Sequence, residues 1–125
     1  MRLITPLNRV LGLGSAKEGV EHWWMQRLTA VALIPIGLWL AWSFAVLPDF
    51  SHAAVSVWLS APLTTILLVI TVLVLSYHSH LGVQIVVEDY VQGASKVVTL
   101  VLTLFAHIFA AVAGVYAVLR VGFGG

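Results

Sequence analysis

The chain has 125 residues, of which 61% are hydrophobic and 9% are charged, and its formal net charge is +1. Soluble domains carry about 25% charged residues, so this composition excludes a water-soluble globule and favours a chain that lies in a membrane. The chain contains no cysteine, which excludes disulfides, cysteine-ligated iron–sulfur clusters and covalent c-type haem within it, and no basic run indicates nucleic-acid binding.

The first 23 residues form a polar segment without an apolar core, so they do not resemble a signal peptide. Glycine and proline are frequent there, and the segment carries the charged residues Arg2, Arg9, Lys17, Glu18 and Glu21. We expect residues 1–23 to be a cytoplasmic N-terminal segment.

Three long uncharged runs follow, at residues 28–48, 50–87 and 97–119. About 20 apolar residues cross a bilayer core, so the middle run is longer than one span needs. Pro62 suits the first turn of a helix, which predicts that residues 49–59 are a loop with an interfacial Trp58. The expected fold is an all-α integral membrane domain over residues 24–125, with three transmembrane helices at about 24–47, 60–87 and 96–120.

Proline and glycine give two further expectations about these helices. Pro35 lies inside the first span, where a transmembrane helix tolerates proline, and it is expected to kink that helix. Gly93 lies in the short second loop, which predicts that the second and third spans form an antiparallel pair.

The placement of Lys and Arg predicts the orientation, because cytoplasmic loops are enriched in these residues. The loop after the first span has neither, and Arg120 ends the third span. The other five lie at the opposite membrane face, which places the N-terminus inside and the C-terminus outside: Arg2, Arg9, Lys17, Arg27 and Lys96.

His78 is a candidate ligand because of its depth. It lies ten residues before Glu88, which at about 1.5 Å per residue is roughly 15 Å, near the middle of the ~30 Å bilayer core. A polar side chain there indicates a functional site, and neutral imidazole is a common ligand of haem iron. The competing interpretation is a histidine that only hydrogen-bonds across helices.

Helix geometry separates the two neighbouring histidines. At about 100° per residue, Gly82, Ile85 and Asp89 share a stripe with His78, whereas His80 lies about 160° away. His78 and His80 therefore do not ligate one metal together, and Gly82 would let a flat macrocycle approach the backbone beside His78. His80 is expected to hydrogen-bond to a neighbouring helix.

Three other sites remain open on the residues alone. His107 has a depth similar to that of His78 and could share a haem with it, or could serve only in packing. Asp89 and Tyr90 are either solvated residues of the helix end or part of a quinone site, where a tyrosine hydroxyl donates to a quinone carbonyl. Arg27 either snorkels to the interface or lines a polar site, whereas His22 and His52 look interfacial.

Two segments together resemble a known family. "EHWWMQRLTAVALIPIGLWL" and "HSHLGVQIVVEDYV" are similar to the small hydrophobic membrane-anchor subunit of succinate dehydrogenase, respiratory complex II. The pattern of His78, Gly82, Asp89 and Tyr90 is the more specific part, and the Gln26–Ala30 start of the first span is the other.

The resemblance implies a set of partners and cofactors. The chain would pair with a second three-helix membrane-anchor subunit, and the two would hold an iron–sulfur subunit and a flavoprotein at the inner face of a bacterial or mitochondrial inner membrane. Succinate would be oxidised in another subunit, so this chain would hold no catalytic residue. His78 would be one axial ligand of a haem b shared with the second anchor. Tyr90 and Asp89 would contact ubiquinone, and Arg27 would lie near the haem propionates.

Three alternatives stay open. One is a self-contained membrane cytochrome that uses His78 and His107. The second is the anchor of a quinol:fumarate reductase, and the third is a non-redox membrane protein such as an assembly factor or a transporter component.

Overall fold

The fold consists of α-helices joined by short connections. A computed structural model describes residues 15–125, with side chains from residue 19 onward. Its helices are α1 (Ser15–Val46), α2 (His52–Ser60), α3 (Pro62–Tyr90) and α4 (Ala94–Gly122). The described residues contain no β-strand, and the first 14 residues of the expected cytoplasmic segment lie outside the described part.

Three of the helices are long and apolar enough to cross a membrane: Gly19–Val46 within α1, Pro62–Tyr90 and Ala94–Gly122. The prediction of an all-α fold with three membrane-spanning helices is therefore confirmed. Pro62 occupies the first turn of α3 as expected, and α1 continues through Pro35 without ending there. Helix α3 ends at Tyr90. Its last turn therefore contains Glu88, Asp89 and Tyr90.

The expected loop at 49–59 is wrong, because most of it forms α2. Ser51 is the N-cap of this helix, and its hydroxyl accepts a hydrogen bond from the Ala54 N–H. Such a bond satisfies one of the unpaired amides at a helix start. The Asp49 carboxylate accepts from the Ser51 N–H at 2.8 Å, and hydrogen bonds from Ser51 lower the pKa of Asp49 below its ordinary value.

Trp58 of α2 packs against the C-terminal half of α1 by aromatic contacts. Its ring stacks on Trp39 at 5.9 Å between centroids and meets Phe44 at 5.7 Å. Phe44 also forms an edge contact with Phe50. The aromatic rings connect α2 to the end of α1, while the backbone of α2 lies closer to α3 and α4, so Trp58 is held by packing in addition to its expected interfacial position.

Helix α3 lies at the centre of the fold. It contacts α4 most extensively and contacts α1 on another side, while α1 and α4 make no direct backbone approach within the described residues. The antiparallel α3–α4 pair is joined by a short turn in which Gly93 has φ +70°, a conformation that glycine adopts without steric cost. The hydrophobic core is small, since Leu81 and Val87 are the only large apolar residues that are buried in the described part of the chain, and they keep 5% and 6% of their surface exposed.

Threonine hydroxyls are buried between the helices. Thr65 donates to the Leu59 carbonyl at 2.6 Å and Thr71 donates to the Leu67 carbonyl at 2.6 Å. Small polar residues at helix contacts are typical of membrane proteins, because they allow close approach and satisfy their hydrogen bonds locally.

Candidate functional site

A cavity of about 510 Å³ opens between α1 and α3 at the level of His78. From α3 it is lined by His78 and Ile85, the pair that the helical stripe placed on one face. From α1 it is lined by a polar set interrupted by small and aromatic residues, namely Gly19, His22, Trp23, Gln26, Arg27 and Ala30. The cavity therefore brings two of the predicted site residues, His78 and Arg27, to one place.

His78 is held by a hydrogen bond across the α1–α3 contact. Its Nδ1 lies 2.9 Å from the Thr29 Oγ1, and Thr29 is only 7% exposed. The same hydroxyl oxygen lies 2.7 Å from the Met25 carbonyl and 3.1 Å from the Gln26 carbonyl. One ring nitrogen of His78 is thus engaged by the protein, and Nε2 remains for another partner.

Gly82 lies one turn from His78 and faces α1. A Cβ added at Gly82 would lie 3.7 Å from the Gln26 Nε2. This is an ordinary van der Waals distance, so an alanine side chain would fit beside the Gln26 amide. Gly82 therefore lies on the same side of α3 as His78, as the helical stripe predicts, and its neighbour there is the side chain of Gln26.

Two buried polar atoms at the cavity have no hydrogen-bond partner among the described residues, His22 Nε2 and Gln26 Oε1. Buried polar atoms are nearly always paired in native proteins, so these two atoms are available to a polar partner outside the described residues. The sequence alone suggests that His22 is merely interfacial, and it marks Gln26 only as part of a motif. Their spacing of four residues, continued by Thr29, places all three on one helix face and could have revealed them.

Arg27 reaches the cavity beside an aromatic ring. Its guanidinium carbon lies 5.4 Å from the centroid of Trp23, which is within the range of a cation–π contact. Trp23 in turn forms an edge contact with Trp24 at 5.2 Å. These rings hold a positive charge at the cavity end nearer the start of α1.

Asp89 and Tyr90 lie at the end of α3 and do not line this cavity. Both are exposed, Tyr90 by 82%. Their neighbour Glu88 accepts a hydrogen bond from Gln84 at 3.0 Å. The structure therefore separates the predicted residues into a deep group around His78 and an exposed group at the helix end.

His80 lies on the face of α3 opposite His78, as the helical geometry predicts, and this face is turned toward α4. The expected hydrogen bond to a neighbouring helix is not made by its Nδ1 among the described residues. Its ring lies 5.4 Å from that of His107, and its Nδ1 is buried without a partner in the described part of the chain. The polar link to α4 is made by Ser79, whose hydroxyl lies 3.1 Å from His107 Nε2. His107 Nδ1 donates to the Thr103 carbonyl at 2.7 Å. His107 therefore belongs to the α3–α4 contact, whereas His78 faces α1.

A cluster of three or more histidine, aspartate or glutamate side chains that could hold a metal ion does not occur in the described residues. The imidazoles that line the cavity are those of His78 and His22. Such a donor set is insufficient for a metal ion ligated by this chain alone, but one histidine at a cavity wall is compatible with one side of a haem.

The family model described as succinate dehydrogenase/fumarate reductase transmembrane subunit matches residues 1–118 of the chain. The chain belongs to this family. It is 30% identical over 124 residues to the succinate dehydrogenase hydrophobic membrane anchor subunit of Paracoccus denitrificans, covering 99% of this chain and 96% of that protein.

Other relatives have the same kind of description but match this chain over a shorter stretch. The subunit of the same description from Rickettsia bellii is 42% identical over 79 residues, which is 62% of each chain, so the match spans less than two thirds of that relative. The succinate dehydrogenase membrane anchor subunit of Reclinomonas americana is 35% identical over 80 residues, covering 62% of this chain and 67% of that protein. No solved structure matches the chain.

Proposed function

We propose that this chain is the hydrophobic membrane-anchor subunit of a succinate:ubiquinone oxidoreductase in a bacterial or mitochondrial inner membrane. Its role is to supply one axial ligand of a haem b and part of the ubiquinone-reduction site. The observation that carries the proposal is His78 at the wall of a membrane cavity, beside buried polar atoms without partners among the described residues. The descriptions of the relatives support the choice of complex.

The residues at the cavity fit a haem b. His78 would bind the iron through Nε2, since its Nδ1 is engaged by Thr29 and imidazole is a common axial ligand. The haem propionates would be held by the Arg27 guanidinium together with the unpaired His22 Nε2 as an N–H donor, because such donors suit carboxylates. The unpaired Gln26 Oε1 only accepts hydrogen bonds, so it would be met by a donor group. When bound, the haem supplies a one-electron redox centre within the membrane.

The second axial ligand is assigned to a partner anchor subunit. His22 lies seven residues before Thr29, about 10 Å along α1 from the level of His78, and its Nε2 is assigned to the propionates. His107 contacts His80 and Ser79 on the α4 side. These positions argue against a self-contained cytochrome built on His78 and His107.

The ubiquinone site is assigned to the exposed end of α3. The Tyr90 hydroxyl donates a hydrogen bond to a quinone carbonyl and thereby favours electron uptake at the ring. The Asp89 carboxylate beside it would pass protons toward the reduced quinone oxygen. Both side chains are exposed in the single chain, which leaves them free to meet the iron–sulfur subunit and the second membrane-anchor subunit.

Succinate oxidation is assigned to a partner flavoprotein subunit, so this chain contributes binding and positioning only. The family description also includes fumarate reductase, which makes a quinol:fumarate reductase the second candidate. The descriptions of the relatives name succinate dehydrogenase, and this favours electron flow from succinate to quinone.

The two neighbouring histidines provide a matched test of the haem ligand. In the complex purified through a tag on this chain, His78→Ala should abolish or strongly alter the absorbance spectrum of haem b. His80→Ala, a change of the same size on the opposite face of α3, should leave it unchanged. A normal spectrum in His78→Ala, or loss of haem only in His80→Ala, would refute the assignment.

A further inference from the structure

The hydroxyl of Thr29 has only one hydrogen to donate but three close partners. Its oxygen lies 2.7 Å from the Met25 carbonyl, 3.1 Å from the Gln26 carbonyl and 2.9 Å from His78 Nδ1. Carbonyl oxygens only accept hydrogen bonds. The shorter contact to Met25 is also the i−4 position to which helix threonines commonly donate.

This geometry favours one position of the proton on His78. When Thr29 donates to a carbonyl of its own helix, only the lone pairs of its oxygen face His78. The Nδ1 must then be the donor, since a neutral imidazole has one donor nitrogen and one acceptor nitrogen. His78 is thereby held in the Nδ1–H tautomer, with the lone pair on Nε2.

We propose that Thr29 is a positioning residue that fixes the tautomer and the ring orientation of His78 for iron binding and tunes the electron donation of this ligand. The inference rests on the proposed haem role of His78. Histidine ligands generally donate their second N–H to a carboxylate, carbonyl or water, which orients the ring and raises its basicity. A threonine hydroxyl performs this function here from the neighbouring helix.

The burial of Thr29 strengthens the argument. The side chain is almost fully buried at the α1–α3 contact, where water has little access to replace its hydroxyl. Thr29 also lies on the α1 face that carries His22 and Gln26, so one helix would position both the iron ligand and the propionates. Helix α1 thus sets the electronic environment of a haem whose iron ligand lies on α3.

Two substitutions at this position distinguish hydrogen bonding from packing. Thr29→Val keeps the branched shape and removes the hydroxyl, whereas Thr29→Ser keeps the hydroxyl and removes a methyl group. In the purified complex, Thr29→Val should shift the midpoint potential of the haem upward, because a less basic imidazole stabilises ferric iron less. It should also change the electron paramagnetic resonance signal of the ferric haem. Thr29→Ser should retain the wild-type potential and signal.

The possible outcomes each decide the question. Haem loss or an upward shift in Thr29→Val, with wild-type behaviour in Thr29→Ser, supports the role of the hydroxyl. A wild-type potential and signal in Thr29→Val, or the same change in both variants, overturns it. Retention of haem in His78→Ala would instead refute the proposed function itself, so the two failures are distinguishable.

Discussion

The polar side chains in the second half of α3 face its two neighbouring helices in turn. His78 faces α1 and contacts Thr29, whereas Ser79 and His80 face α4 and contact His107. An intramembrane polar group is costly without a partner. His78 and His107 have such partners, whereas the buried Nδ1 of His80 has none among the described residues, and His78 is the histidine of α3 beside the cavity between α1 and α3.

Tyr90→Phe tests the exposed end of α3 at the scale of one atom. The change removes the hydroxyl and keeps the ring, so one hydrogen bond to the quinone carbonyl is lost. We expect succinate-driven ubiquinone reduction to fall by about tenfold, which corresponds to a hydrogen bond worth roughly 1.4 kcal/mol, while haem remains bound. The measurement is steady-state reduction of a soluble ubiquinone analogue. Tyr116→Phe, on α4, is the matched control, and unchanged kinetics in Tyr90→Phe would remove this residue from the site.

The sequence identifies His78 as a candidate ligand, because its depth in the span and its helical phase can both be read from the residue numbers. The same phase correctly separates His80 from His78 and places Ile85 beside His78. The importance of His22 and Gln26 was not predicted, because their significance depends on burial against α3 and on the lack of a partner among the described residues. Burial and hydrogen-bond partners can be assigned only when the position of the neighbouring helix is known, and the sequence does not specify that position.

The contact between α3 and α4 depends on a close approach at Gly114. A Cβ added there would lie 2.8 Å from Val72 Cγ1 and 3.4 Å from Cγ2. Valine is stiff at χ1, so it moves aside only at a cost. A small residue at such a position lets two membrane helices approach closely.

Gly114→Ala should therefore destabilise the α3–α4 pair by about 1–3 kcal/mol through overpacking, although alanine is the better helix former by up to ~1 kcal/mol. In a Val72→Ala background both methyl groups are gone, and the same change should be neutral or stabilising. Thermal unfolding of the purified complex provides the measurement for this double-mutant cycle. Equal destabilisation in both backgrounds would show that Val72 is not the obstacle.

At the scale of helices, the long spans were predictable and the short α2 was not. Uncharged runs of sufficient length identify membrane helices directly, and Pro62 correctly predicted the start of α3. Helix α2 has only nine residues. A helix of this length is not stable by itself in water and depends on tertiary packing. Its Ser51 cap is a local signal, but the contacts of Trp58 with α1 that hold it in place are tertiary.

At the scale of the molecule, the described helices leave most of their large apolar side chains exposed. Examples on α1 are Leu38 and Trp42, and on α4 they are Phe105 and Phe109. Lipid covers such surfaces without cost, and partner subunits can cover part of them. A single chain with such a surface is consistent with a subunit that holds half of a site.

The distribution of charge predicts how the chain lies in the membrane. An alkaline phosphatase fused after Arg120 should be active, because the enzyme folds only outside the cytoplasm. The same fusion at Gln92, in the loop that precedes Lys96, should be inactive. The positive-inside rule is the physical basis of the expectation. The reverse pattern of activity would place the site of Tyr90 on the outer face and would contradict the proposed arrangement.

The most direct test of the central claim is succinate-driven reduction of a soluble ubiquinone analogue by material purified in mild detergent through a tag on this chain. The proposed anchor role predicts that flavoprotein and iron–sulfur subunits copurify, that the preparation reduces the quinone with succinate, and that it shows a haem b spectrum that depends on His78. An intact, stable preparation without succinate-dependent activity would contradict the anchor role, whatever its haem content.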